Sequence, residues 1–163
     1  MQQRVVPGPG QESVWDYPRP PRVEPVPERI RAVVEGVDIA NTTSALRVLE
    51  TAGPPVYYVP PRDVRMDLLA PSEHHSYCEW KGEASYYTLR VADRVVPNVA
   101  WTYEQPLPGY ESIRGYLAFY ARLIDEAWVG AELATPQPGR FYGGWVTSRI
   151  VGPFKGDPGT SGW

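Results

Sequence analysis

Alternation of apolar and polar positions, rather than helical periodicity, organises this chain. Ile30, Ala32 and Val34 interleave with Arg29, Arg31 and Val33, the two-residue period of a strand. Glu35-Gly36 supplies a turn, and Val37 and Ile39 resume the alternation, which predicts a β-hairpin. Val56-Tyr57-Tyr58-Val59 reads as the next strand, ended by Pro60-Pro61. From Ser85 to Val91, Tyr87, Leu89 and Val91 alternate with Tyr86, Thr88 and Arg90. Ala92-Asp93 then connects tightly into Arg94-Val95-Val96, and residues 98–103 continue as a further strand. Residues 115–120 and 126–129 complete the set. One short helix is predicted over Ala45–Glu50, with Thr42-Thr43-Ser44 as its N-cap cluster and Gly53-Pro54 as its stop. A shorter helical turn is expected at Glu111–Arg114, and Arg62–Leu69 fits either a turn or a strand. The expected fold is mainly β, with antiparallel sheets in an open barrel and one or two short helices.

The N-terminal region breaks this rhythm. Five prolines fall between Pro18 and Pro27, so residues 12–28 read as an extended arm. Residues 1–11 are expected to be a flexible tail, and 12–163 a single domain. Trp15 and Tyr17 should lie against that domain, because solvating segments are poor in aromatics.

Composition narrows the functional classes. A net charge of −3 argues against a nucleic-acid-binding surface, which carries a basic excess. There is no apolar run of the length a membrane span needs, and the first residues lack the apolar core of a secretory signal. The single cysteine, Cys78, suits a reducing compartment, and the cytoplasm is the expected location. Tryptophan (6) and tyrosine (11) far outnumber phenylalanine (3). Such rings serve sheet packing, or, gathered around a concavity, a flat ligand.

The densest chemistry lies in Cys78-Glu79-Trp80-Lys81-Gly82-Glu83-Ala84-Ser85-Tyr86. A turn closed by Gly82 would set a thiol and an amine beside each other, where Lys81 could stabilise a thiolate and make Cys78 a nucleophile. The plainer alternative is a small buried cysteine and a solvated lysine. His74-His75 is better read as a surface pair than as metal ligands, because neighbours on a strand point to opposite faces. Arg65 and Asp67 form either an anion contact or a solvated edge. No Ser-His-Asp arrangement can be assembled, and no metal or cofactor is expected. Trp80-Lys81-Gly82-Glu83 is echoed by Phe154-Lys155-Gly156-Asp157, a four-residue match short enough to be coincidence.

Several of these stretches are similar to a known family. Glu12-Ser13-Val14-Trp15-Asp16-Tyr17-Pro18-Arg19-Pro20, Tyr57-Tyr58-Val59-Pro60, the Cys78–Tyr86 element and Ala100-Trp101-Thr102-Tyr103 resemble the bacterial domain-of-unknown-function family 427, which has also carried a nucleotidyltransferase-like label. The Phe141–Thr147 tail resembles its longer members. The resemblance implies a β-tent, or Mss4-like, topology with two antiparallel sheets meeting around a pocket. Relatives of that topology hold zinc through paired cysteines, a role one cysteine cannot fill.

The residues together favour a binding module: a pocket for a planar or anionic small molecule, lined by Tyr57, Arg65, Lys81, Tyr86, Trp101 and Tyr103. The alternative is a small enzyme using Cys78 or Lys81. The expected partner is a small molecule, not nucleic acid or membrane, with self-association left open.

Overall fold

The computed structural model describes residues 3–160 and 162–163. In chain order the strands are β1 (Glu12–Ser13), β2 (Arg22–Pro25), β3 (Ile30–Val34), β4 (Val37–Thr42), β5 (Leu46–Leu49), β6 (Val56–Tyr58), β7 (Leu69–Cys78), β8 (Gly82–Val91), β9 (Arg94–Thr102), β10 (Leu117–Phe119) and β11 (Glu126–Val129). Four two-residue strands follow: β12 (Glu132–Leu133), β13 (Thr135–Pro136), β14 (Trp145–Val146) and β15 (Ile150–Val151). The fold is mainly β, and its sheets do not close into a barrel. No helix among the described residues is long and apolar enough to cross a membrane.

Three sheets carry the architecture. One runs β10-β9-β8-β7, a second β12-β11-β3-β4 and a third β2-β5-β6. The β3–β4 hairpin turns where its alternation breaks, with Glu35 and Gly36 both at positive φ (52° and 70°), the backbone of a tight two-residue connection. A bridge between Val59 and Leu117 ties the third sheet to the edge of the first.

The helix expected over Ala45–Glu50 is replaced by β5. The Thr42 hydroxyl does accept the Ser44 N–H (2.9 Å), but this local turn leads into a strand. Leu46–Leu49 is paired on both sides, with β2 and with β6, and a six-residue helix could not match that ladder. Helical backbone among the described residues is confined to five single 3₁₀ turns, at Val14–Asp16, Pro61–Asp63, Met66–Leu68, Glu111–Ile113 and Ala121–Leu123.

The central sheet, β10-β9-β8-β7, contributes buried side chains to a cluster on each face, and the pleat sorts them. β8 sends Tyr87, Leu89 and Val91 to a core shared with Ile30, Val34 and Ile39 of the hairpin, with Phe119 of β10. The intervening Ala84 and Tyr86 face the other way, toward Tyr58, Trp101 and Tyr103. A third cluster seats the arm: Val14 and Tyr17 are buried against Leu49 and Ile150. β1 pairs in parallel with β15, and the Trp15 indole donates to the Pro153 carbonyl (3.0 Å). The boundaries expected at residues 1–11 and 12–163 include Met1, Gln2 and Ser161, which lie outside the described residues.

Candidate functional site

On the Tyr86 face of the central sheet lies a cavity of about 350 Å³. Its floor is set by strand register. Tyr86 of β8 stands directly opposite Trp101 of β9, so two large rings share one face at the spacing of a cross-strand pair. Tyr103 follows two residues on, and Tyr58 comes in from β6. The Trp101 indole donates to the Tyr58 hydroxyl (3.3 Å), and its ring lies 4.6 Å from that of Tyr120. The Tyr86 hydroxyl pairs with Ser76 Oγ (2.8 Å). Burial pushes the Tyr58, Tyr103 and Tyr120 phenols above their ordinary value, so the floor is neutral.

Lys81 enters from the β7–β8 turn. Cys78 and Gly82 are the last paired positions of the hairpin, and Gly82 sits at φ 103°. A side chain there would be strained and would press on Leu107, whose N–H donates to the Lys81 carbonyl (2.9 Å). The turn thus fixes the lysine backbone and delivers its side chain to the cavity. Lys81 is only 9% exposed, and its Nζ lies 5.8 Å from the centre of the Tyr103 ring. No carboxylate among the described residues is within ion-pair distance of it. Cys78 is partly buried and lines the same cavity.

The structure therefore brings together Lys81, Tyr86, Trp101, Tyr103 and Cys78, and leaves out two residues expected with them. Tyr57 adjoins Tyr58 on β6, so the pleat turns it to the opposite face. It packs against Trp145 (5.4 Å) and lines a separate cavity of about 290 Å³ beside Arg47 and Glu12. Its phenol is pushed up to about 12 by burial. Arg65 is exposed, closes two hydrogen bonds onto Asp67 (2.9 and 2.8 Å) and lines neither cavity. His74 packs on the Tyr86 ring (4.5 Å) and His75 lies 3.6 Å from Glu83; neither lines the cavity.

The second wall comes from residues not anticipated. Gln137, Phe141, Tyr142, Gly143 and Lys155 complete the lining. Gly143 lies so close to the Trp101 ring that a Cβ would overlap it. Gln137 clamps this wall, accepting from Gly144 N–H (3.0 Å) and donating to the Lys155 carbonyl (2.7 Å). The sequence signal that could have found it was the echo between the two Lys-Gly segments, together with the fact that the chain has only these two lysines.

The family described as Domain of unknown function (DUF427) matches residues 22–130, which include Cys78, Lys81 and the aromatic floor. No curated protein matches the chain.

Proposed function

The chain belongs to the DUF427 family, and on that premise we propose that it is a small-molecule-binding β domain whose aromatic-lined cavity takes a planar or anionic ligand. One observation carries the reading: Lys81 is buried in a tyrosine- and tryptophan-lined cavity without a carboxylate partner among the described residues. Burying an ammonium group costs several kcal/mol unless a counter-charge compensates, on the order of the effective penalty for a buried ion. A ligand anion supplies that counter-charge, and the low dielectric between the rings strengthens its attraction. The flat walls suit a ring. The same proposal takes the sheets as a β-tent of Mss4-like topology, residues 12–163 as one domain, and the setting as the bacterial cytoplasm.

A second reading, a small enzyme, rests on Cys78 lining the same wall as Lys81. The experiment that separates them begins with mass spectrometry of small molecules released from gently purified protein. Under the binding reading, Lys81→Met weakens affinity for the released compound at least about tenfold, equivalent to 1.4 kcal/mol. Cys78→Ser then changes it little. Under the enzyme reading, either substitution abolishes turnover of that compound. Unchanged binding in Lys81→Met removes the first reading.

A further inference from the structure

We propose that the ligand is a flat ring carrying two negative charges, one met by Lys81 and the other by Lys155. This inference rests on the binding reading and extends it to the chemical class of the ligand.

Both lysines of the chain line the same cavity, and they reach it from segments 74 residues apart in the sequence. Each is followed by a glycine in the left-handed region, Gly82 at φ 103° and Gly156 at φ 108°. Each of those glycines is packed against neighbouring chain: a Cβ on Gly82 would press on Leu107, and one on Gly156 would overlap the Pro138 carbonyl. The Lys155 backbone is held twice, its N–H donating to the Ala52 carbonyl (2.7 Å) and its carbonyl accepting from Gln137 (2.7 Å). Two cations are thus presented from rigid backbone, as a preorganised anion site requires.

Charge at the cavity is unbalanced. Lys155 Nζ lies 4.7 Å from the centre of the Tyr142 ring and, like Lys81, has no carboxylate in ion-pair range among the described residues. Of the two lining glutamates, Glu50 is taken by Arg19 (3.2 Å) and Glu79 is exposed. Among the described residues, no arginine lines the cavity. The planar arginine fork matches carboxylate and phosphate alike, whereas ammonium groups act as point charges that need no bidentate partner and meet a phosphate monoester readily. A phosphate monoester carries about −1.5 to −2 charges near neutral pH. The same two charges could come from a pair of carboxylates on one ring. Tyr77 and Phe141, 71% and 75% exposed, stand at the mouth, where a ring edge can be covered. A volume of about 350 Å³ lies near the small end of ligand pockets, roughly 300–1,000 Å³, and so fits one ring with its anionic group.

The test uses the tryptophan fluorescence of the full chain, titrated with phenyl phosphate and with phenyl methyl phosphate, which keeps the ring and removes one charge. Wild type should prefer the dianion by about tenfold or more. Lys155→Met should bring that preference close to one by weakening the dianion far more than the monoanion, and Lys81→Met should weaken both. Benzene-1,2-dicarboxylate, run alongside, tells a phosphate monoester from a dicarboxylate by which binds more tightly. Thermal melts confirm that each variant is folded. A Lys155→Met protein with the wild-type preference overturns the two-charge inference, and if Lys81→Met still weakens binding, the broader reading survives. Failure of both dianions to bind wild type also overturns the inference, and the released-compound experiment then decides the broader reading separately.

Discussion

The cavity has two walls of different construction. In the floor, Tyr58, Tyr86 and Trp101 stand on paired strands with their spacing set by ladder register, Tyr103 lies just beyond the end of β9, and all four are buried. The facing wall, Gln137 to Gly143 with Lys155, is the connection between the two-residue strands β13 and β14 and a turn after β15, held by glycine contacts and the Gln137 clamp. The family match covers the floor and ends at residue 130, before the facing wall begins. Register leaves a ladder little freedom, because a slip by one residue would turn every ring to the other face. Loop-like chain tolerates change far better. Under the binding proposal, the floor would define what kind of surface a ligand meets, and the facing wall which second charge it meets.

That contrast can be broken by mutation. Trp101→Ala should cost about 3–5 kcal/mol, the range for truncating a buried aromatic, since it also strips the Tyr58 hydroxyl of its donor. Urea unfolding measures it, and a loss as small as that of a change in the facing wall would erase the distinction.

Alkali should attack the floor next. The Tyr58, Tyr103 and Tyr120 phenols are held above the ordinary value of 10.0 by burial, so the folded state keeps protons that the unfolded chain releases. Their contribution is complete below about pH 10 and is lost as pH rises beyond it. Denaturation midpoints at pH 9 and above pH 10 check this, and Tyr103→Phe should soften the fall. The arm and first hairpin respond at the other end of the scale. Burial would raise Glu12, but hydrogen bonds from Arg47 and Tyr17 bring it below its usual range. Arg31 and Asn41 do the same for Asp38. Their stabilisation is present above about pH 4.5 and fades as pH falls further.

Gly143→Ala joins the two walls in one substitution. Its methyl group would overlap the Trp101 ring, so stability should drop by about 1–3 kcal/mol, as overpacking does, and ligand binding should weaken with it. Phe141→Ala should be the mildest, within about 0.5 kcal/mol of wild type in stability, with its effect confined to ligand affinity. A large stability loss there would mean that the facing wall carries the fold as much as the floor does.

Sequence patterning reached the floor and not the facing wall, for physical reasons. Strict alternation located β3, β4 and β8, and the glycine after Lys81 located the turn between β7 and β8. β7 was invisible because it is a sheet edge: Pro71, Glu73, His74 and His75 are exposed, and no apolar stripe marks it. β5 imitated a helix because Thr42 makes the hydrogen bond of a cap before a strand. The pleat separates Tyr57 from Tyr58 and sets it in the other cavity, a division that adjacency in sequence does not display. Phe141, Tyr142 and Lys155 reach the cavity through contacts between distant backbone segments, and local periodicity carries no trace of those.

The parallel pairing of Glu12–Ser13 with Ile150–Val151 bears on synthesis. Chain emerging from a ribosome at about 5–20 residues per second would expose Trp15 and Tyr17 for several seconds before their partners arrive. The strands of the floor can pair during that interval, but a compound needing Lys155 has nothing to grip until that residue has left the exit tunnel. Such a ligand would meet the chain only after residue 155 has emerged and could not guide the earlier pairing of the floor strands.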